Sequence, residues 1–349
     1  MRAGHPSCFT GLLQSGVKIS PDIYLASCKR RFGAANPELI RNPVWEWMVR
    51  NQHSPYSART SLGLEPDYGA CSLERNPDWC FTRMGMPVVN MDDGREIFIA
   101  GEHEDFYDPD FCIYNDAIVR QGDNIKIFAY PRDVFPPTDF HTATLVGDTI
   151  WIIGSLGYAE ERGGPDTPIF ALDTVTYRIR PIAYPGGSPG WLHKHRAGLL
   201  PDGETIEING GEVLSQVDGD ERWRRNRDTF LFNTRTSKWQ RTTDHSDWRE
   251  FRIGFHEEVG NYGRSFGWYT GETLQTLGYP LQVASDEERE ERTHTLLVQG
   301  VRVRLRDDYD ALRILIEGVL PLDVANELVA KLKSLLEASN REVEDIQEL

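Results

Sequence analysis

Three stretches of about fifty residues repeat a single plan, and this repetition constrains the fold more than any other feature of the chain. Each stretch opens with a short apolar strand, a polar turn and a second strand that ends on glycine, at Gly101, Gly154 or Gly210. These glycines lie 53 and 56 residues apart. A long polar loop and two further strands follow each glycine. Four antiparallel strands at this period predict the blades of a β-propeller.

The opening strands carry a more specific pattern. The stretches "HTATLVGDTIWIIGSLGY" and "HRAGLLPDGETIEINGGEV" contain a histidine, an apolar run, a turn, a second apolar run and glycine. "CIYNDAIVR" and "NTRTSKW", which leads to Trp239, match later strands of the same pattern. Over residues 83–243 the chain therefore resembles kelch repeats. It departs from them because only Gly210–Gly211 is a true glycine doublet and the first stretch lacks the opening histidine.

The resemblance implies a mainly β fold, a kelch-like partial or small β-propeller, because three blades fall short of the usual four to eight. The flanks predict a helical N-terminal segment and a C-terminal α+β module of order ββαβ. In "NPVWEWMVRN", Asn42 is the expected helix cap, and Trp45, Met48 and Val49 share one face. The predicted domains are residues 1–82 (irregular or helical), 83–243 (blades), 244–294 (helical or irregular connector) and 295–349 (ββαβ).

The formal charge of −16 argues against nucleic acid as the main partner, because its phosphates would be repelled. No apolar run is long enough to cross a membrane, and the N-terminus "MRAGHPSCFTGLLQSG" lacks the apolar core of a signal peptide. The five cysteines are scattered without a C-x-x-C pair, which favours reduced thiols over disulfides or a zinc ribbon. The composition therefore predicts a soluble, cytoplasmic protein.

Loops at one end of such blades are expected to meet. Alternate connections of an antiparallel sheet lie at opposite ends, so "GEHEDFYDPDF" should share an end with the entry segments "YPRDVFPPTDFH" and "YPGGSPGWLHKH". Binding sites concentrate on loops held by a rigid scaffold. The expected contact face comprises Glu104, Asp105, Tyr107, Asp108, Asp110, Arg132, Asp133 and Asp139, with His103, His141, His193 and His195 as candidate metal ligands.

The histidines allow two interpretations. His193 and His195 are two apart on a predicted strand, which would place both side chains on one face. Together with the carboxylates they would suit a divalent metal that keeps open positions. His141 and His195, however, stand where kelch repeats favour histidine, so a structural role is the competing interpretation for them. The acidic run has its own plain interpretation as a solvated loop.

Two functions follow from these features. The family resemblance favours a binding or scaffold protein whose acidic, histidine-containing loop face binds a cationic protein partner. The alternative is a metal-dependent, hydrolase-like enzyme with a divalent metal on the same face. The chain has no nucleophile elbow, P-loop or dinucleotide fingerprint, so no catalytic residue is assigned. The first function requires no cofactor, and homo-oligomerisation is left open as a way to complete the blades.

Overall fold

The structure, a computed structural model, describes residues 18–65, 77–105, 108–217, 220–257, 274–283, 293–308, 311–339 and 341–349. The chain is mainly β and contains several antiparallel sheets. Within these ranges, no helix has both the length and the apolar character needed to span a bilayer. The chain divides into two compact units, Met1–Leu214 with Thr229–Gln240, and Ser215–Asp228 with Arg241–Leu349.

Each of the three repeated stretches forms one antiparallel sheet. The first sheet has the order β1 (Glu38–Ile40), β7 (Asn124–Ala129), β6 (Ala117–Gln121), β3 (Glu96–Ile99) and β2 (Val88–Asn90). The second has the order β11 (Ile179–Pro181), β10 (Ile169–Asp173), β9 (Thr149–Ile153) and β8 (Thr142–Val146). The third has the order β13 (Arg196–Leu199), β14 (Thr205–Asn209), β17 (Phe230–Asn233) and β18 (Lys238–Arg241).

The three sheets are neighbours, because β8 contacts both β2 and β13. The second sheet is buried on both faces. Ile150 and Ile152 of β9 belong to a core shared with the first sheet, whereas Trp151 and Ile153 belong to a core shared with the third. Successive side chains of a strand point to opposite faces, so burial of both faces explains the uninterrupted apolar run "IWII".

The long polar loops of the repeats are partly ordered. The stretch predicted as a loop in the first repeat forms a hairpin of β4 (Glu102–Asp105) and β5 (Asp108–Ile113). In the third repeat, β15 (Glu212–Val217) pairs with β12 (Leu192–His193), and β16 (Asp220–Arg225) follows it. The second repeat has only a 3₁₀ turn at Ala159–Glu161.

The described part of the N-terminal segment contains three helices, α1 (Pro21–Ser27), α2 (Pro43–Asn51) and α3 (Pro55–Ser61). The predicted helix α2 is confirmed, and the Asn42 side chain caps it by accepting the N–H groups of Val44 and Trp45. The sequence analysis missed α1 and α3. Each begins with a serine cap followed by proline, Ser20–Pro21 and Ser54–Pro55, which is a recognised helix start.

These helices pack against the first sheet. Trp45, Met48 and Val49 are fully buried in one cluster with Phe98, Ile118 and Ile127 of the sheet. Trp45 also stacks on Trp79, with ring centroids 4.8 Å apart. The N-terminal segment is therefore part of the first hydrophobic core.

The second unit contains a five-stranded antiparallel sheet and one described helix. The sheet has the order β20 (Thr293–Val298), β21 (Val301–Asp308), β22 (Ala311–Glu317), β19 (Arg249–Glu257) and β23 (Arg341–Glu348). Helix α4 (Leu322–Ala338) buries the predicted apolar stripe against it, including Ala325, Leu328, Leu332 and Leu336. The predicted ββαβ order corresponds to β21, β22, α4 and β23.

One part of the predicted connector, residues 244–294, has a different structure. Arg249–Glu257 forms β19, a strand that pairs on both sides, instead of a helix or an irregular segment. Phe251, Ile253 and Phe255 alternate along it and are all buried, which is the ordinary signature of a strand. The charged run "SDEEREER" lies outside the described residues.

Candidate functional site

Backbone hydrogen bonds join three segments at one end of the sheets of the first unit. Gly101 N–H donates to Thr138 O over 2.8 Å, and Lys194 N–H donates to Phe140 O over 2.8 Å. These bonds connect the start of the β4–β5 hairpin with the entries into β8 and β13. We call the end formed by residues 101–113, 131–141 and 184–195 the loop end. The structure thus brings together the three segments that the strand pattern places at one end.

Glycine makes this close approach feasible. Gly154 has a φ of 82°, and a side-chain carbon there would lie 2.4 Å from Leu192 O. Gly211 has a φ of 81°, and a side-chain carbon there would lie 2.4 Å from His193 O. A larger residue would meet both backbone strain and a clash at either position. Gly154 therefore lets the entry segment of the third repeat pass against the end of β9, and Gly211 lets the entry segment of its own repeat pass against the end of β14.

A pair of buried carboxyl groups lies at the loop end. Glu102 is 7% exposed and Asp139 is 0% exposed, and their side chains interact directly. Burial, followed by the neighbouring charge of Asp139, raises the pKa of Glu102 to about 7. Burial also raises the pKa of Asp139, although its carboxylate accepts the Gly157 N–H over 2.7 Å. Because like charges oppose each other here, Glu102 and Asp139 titrate as a coupled pair that holds a proton more strongly than isolated carboxylates.

His195 and His141 are buried close to each other. The Nε2 atom of His195 lies 2.9 Å from Thr142 Oγ1, and its ring lies against Gly154. Burial and the neighbouring His193 lower the pKa of His195 to about 3, so the ring is neutral near pH 7. Burial and His195 lower the pKa of His141 to about 3 as well. His195 therefore contributes a structural hydrogen bond, in line with the structural interpretation of its repeat position.

His193 is not on one strand face with His195. Strand β12 ends at His193, and β13 begins only at Arg196. Lys194, between the two histidines, has a φ of 54°, which breaks the alternation of an extended strand. The prediction that the spacing places both rings on one strand face is therefore wrong. Burial, then Lys194 and Arg162, lower the pKa of His193 to about 4.

His103 lies on β4, and its Nδ1 atom is 2.8 Å from the backbone carbonyl of Thr82. A carbonyl only accepts hydrogen bonds, so Nδ1 carries the ring proton when this bond is formed. Among the described residues, no group of three or more His, Cys, Asp or Glu side chains is arranged to hold a metal ion. The histidine set proposed as metal ligands accordingly remains a sequence prediction without a matching geometry in the described chain.

The predicted contact-face residues have different surroundings. Glu104, Arg132 and Asp133 are exposed, and Arg132 forms an ion pair with Glu161. Asp139 is fully buried and so is not a surface residue, which corrects its assignment to the contact face. The side chains of Asp105, Tyr107, Asp108 and Asp110 lie outside the part of the chain that the structure describes.

The sequence analysis missed two residues that shape the loop end, Glu102 and Arg162. Glu102 was passed over although it directly follows the strand-end Gly101, where a side chain enters the packed turn. Arg162 donates to the carbonyls of Leu156 and Gly157 and lies near both Asp139 and His193. Lys194, one of the cations that the sequence places near this face, is exposed, and its charge acts to lower the pKa of Glu102. Only the position of Glu102 had a local signal in the sequence.

Comparisons with known proteins assign no family to the chain. No model of a protein family matches it, and no curated protein matches it. One solved structure that aligns with it is a GDP-Man-dependent mannosyltransferase from Leishmania mexicana, at 13% identity and a TM-score of 0.29. That alignment covers 66% of this chain and 66% of the transferase, just under two thirds of its length. So low a TM-score supports no conclusion about fold or activity.

Proposed function

We propose that this chain is a kelch-like propeller protein that binds a cationic protein partner through its loop end. The observation that carries the proposal is the joining of three loop segments by backbone hydrogen bonds, from Gly101 N–H to Thr138 O and from Lys194 N–H to Phe140 O. Segments held in this way form an ordered surface, which suits recognition of a partner with little loss of loop entropy on binding.

Charge supports a cationic partner. The hairpin sequence "EHEDFYDPD" carries five carboxylates, and the whole chain has a formal charge of −16. Of the described acidic side chains at this end, Glu104 and Asp133 are exposed. Complementary charge steers association and disfavours anionic partners. Arg132 and Lys194 add two exposed cations, so the four described exposed charges balance, and the acidic sum comes from the sequence of the hairpin.

The buried histidines have another part in this proposal. His141, His193 and His195 are between 2% and 6% exposed, so they lie beneath the surface that a protein partner would touch. They and the glycine contacts hold the entry segments in place. The contact surface proper consists of the hairpin and the exposed ends of the entry segments.

The test compares charge reversal at the two ends of the same sheets. A Glu104→Lys and Asp133→Lys double variant alters the loop end. An Asp92→Lys and Asp148→Lys double variant makes the same charge change in exposed turns at the opposite end of the strands. Binding to immobilised poly-L-lysine, measured against salt concentration, is expected to weaken about tenfold for the first variant only.

Equal weakening of both double variants would mean that net charge alone drives the binding. Unchanged binding of the loop-end variant would contradict the proposed site directly. Circular dichroism and thermal unfolding of both variants ensure that the comparison is made on folded protein.

A further inference from the structure

The two edges of the five-stranded sheet in the second unit differ. Along β20, the backbone of residues 280–282 covers the edge, because Leu297 N–H donates to Pro280 O over 2.9 Å and Gln282 N–H donates to Thr295 O over 2.8 Å. Strand β23, at the other edge, pairs with β19 on one side only. No described residue pairs with its outer side. Residues 342–348 of β23 thus present outward-facing backbone N–H and C=O groups that no described residue pairs.

The pairing of β23 with β19 determines which of its side chains share a face. Ile346 lies opposite Ile253, which is buried in the core under α4. Ile346 is itself 44% exposed, so the apolar face continues to the open edge without being covered. Glu342 and Asp345 lie opposite His256 and Gly254, and after the bulge at Gly254/Phe255 both belong to the other, polar face. Glu348 lies opposite Phe251, on the same face as Ile346, so this face of the edge carries apolar and acidic side chains and the other face carries Glu342 and Asp345.

The net charge of β23 determines which kind of strand could pair with this edge. Strand β23 carries four carboxylates, Glu342, Glu344, Asp345 and Glu348, and one arginine, Arg341, for a net charge of −3. Asp345 and Glu348 form ion pairs with Arg252 and Arg249 of β19, one strand further in. Pairing with a second copy of β23 would bring two strands of net charge −3 together, and like charges on neighbouring strands are destabilising. A basic strand would be attracted instead.

We propose that the outer edge of β23 accepts an extended basic segment of a partner protein as a sixth strand. Backbone hydrogen bonds provide the affinity of such an addition, and the alternating side chains provide the specificity. The segment should alternate apolar residues, which extend the stripe at Ile346, with lysine or arginine, which face Glu342 and Asp345. This surface belongs to the second unit, whereas the loop end belongs to the first.

The first measurement is amide hydrogen exchange on the full chain by NMR. In the free protein, alternate amides of β23 should exchange fast because only every second N–H faces β19. A synthetic peptide with four Lys-Val repeats should slow the fast set. A peptide of the same length with two valines replaced by proline should bind at least about tenfold more weakly, since proline cannot donate to the ladder.

Variants test the charge requirement. Glu342→Lys on β23 is expected to weaken peptide binding about three- to tenfold, whereas the matched Glu337→Lys on the exposed face of α4 should leave it unchanged. Because protection is measured at β23 amides, peptide bound at the loop end does not imitate the result.

Three outcomes would overturn the proposal. Slow exchange of every β23 amide in the free protein would mean that the edge is already covered. Equal binding of the proline peptide would reduce the interaction to electrostatics. Protection that rises with protein concentration in the absence of peptide would identify a second copy of the chain as the occupant.

Discussion

Two buried carboxyl sites of the first unit have the same chemistry and opposite surroundings. Asp78, which is 4% exposed, accepts Tyr24 Oη–H over 3.0 Å and Arg59 Nε–H over 2.8 Å, and Lys29 Nζ lies 2.8 Å away. Glu102, which is 7% exposed, faces Asp139. Burial raises the pKa of both, but the two cations at Asp78 outweigh burial and lower its pKa to about 2.

The comparison distinguishes Asp78, which has a structural role, from Glu102 and Asp139, which can exchange a proton near neutral pH. Lys29 and Arg59 keep Asp78 ionised well below neutral pH, so its role is to hold α1 and α3 to the chain near Trp79. The Glu102 and Asp139 pair, in contrast, gains or loses a proton near neutral pH. Perturbed carboxyl groups of this second kind cluster at functional sites.

The largest effect on the free energy of unfolding is expected from removal of the Asp78 carboxylate. Asp78→Ala leaves Arg59, which is 8% exposed, without its buried partner. Breaking a buried ion pair in this way costs about 3–5 kcal/mol. The free energy of unfolding of the first unit, measured in urea with both units present, should fall by that amount. The exposed matched control, Asp133→Ala, should change it by less than about 0.5 kcal/mol.

A smaller Asp78→Ala effect, close to that of Asp133→Ala, would contradict the structural role assigned to Asp78. The two units should be monitored by separate probes, since their transitions need not coincide.

The next effect depends on pH and has opposite signs at the two sites. The folded-state pKa of Glu102 is raised to about 7 from 4.5, so its ionisation destabilises the folded state as pH rises through that window. Glu102→Gln removes this penalty. The free energy of unfolding of the variant should therefore rise relative to that of the parent by roughly 1–3 kcal/mol as the pH increases from 5 to 8. Urea unfolding at several pH values measures the gain.

Asp78 provides the contrast for that experiment. Its folded-state pKa is lowered to about 2 from 3.8, so its contribution is complete above pH 3.8 and is lost as pH falls toward 2. The cost of Asp78→Ala should therefore stay constant between pH 5 and pH 8. A Glu102→Gln effect that is equally constant would show that Glu102 does not titrate in this range.

The smallest effect is expected from chelation. His195 bonds Thr142, His103 bonds the Thr82 carbonyl, and the described residues form no grouping suited to a metal. Treatment with a chelator should shift the Tm by less than about 1 °C, because a structural metal would contribute far more to folding. Metal content before and after chelation, by elemental mass spectrometry, checks the result. Stoichiometric metal lost together with stability, and absent from a His103→Ala and His193→Ala double variant, would revive the metal-dependent enzyme.

The sequence predicted elements well where the signal was local. The fifty-residue period located the three sheets, the apolar stripe located α4, and Asn42 located the start of α2. It failed at β19, where alternate Phe251, Ile253 and Phe255 were interrupted by arginine and glycine and passed for a connector. Glycine is required at position 254 by a contact far away along the chain. A side-chain carbon there would lie 2.0 Å from Asp345 Oδ1, on a strand about ninety residues later.

The candidate site shows the same division. Strand alternation was enough to place the hairpin and the two entry segments at one end, because each strand reverses the chain direction. It was not enough to tell which side chains are buried there. Asp139 was expected at the surface and is fully buried, and Lys194 breaks the strand that was expected to align His193 with His195.

By itself, then, the sequence determined the repeat period, the strand-end glycines, the amphipathic helices and the acidic charge. Each of these depends on neighbours within a few residues, so a linear pattern records it. The tertiary structure alone decided that Asp78 meets two cations and that Glu102 meets Asp139. The sign of a buried carboxyl group's pKa shift depends on which charge the fold brings within a few ångströms, and those partners lie far away along the chain.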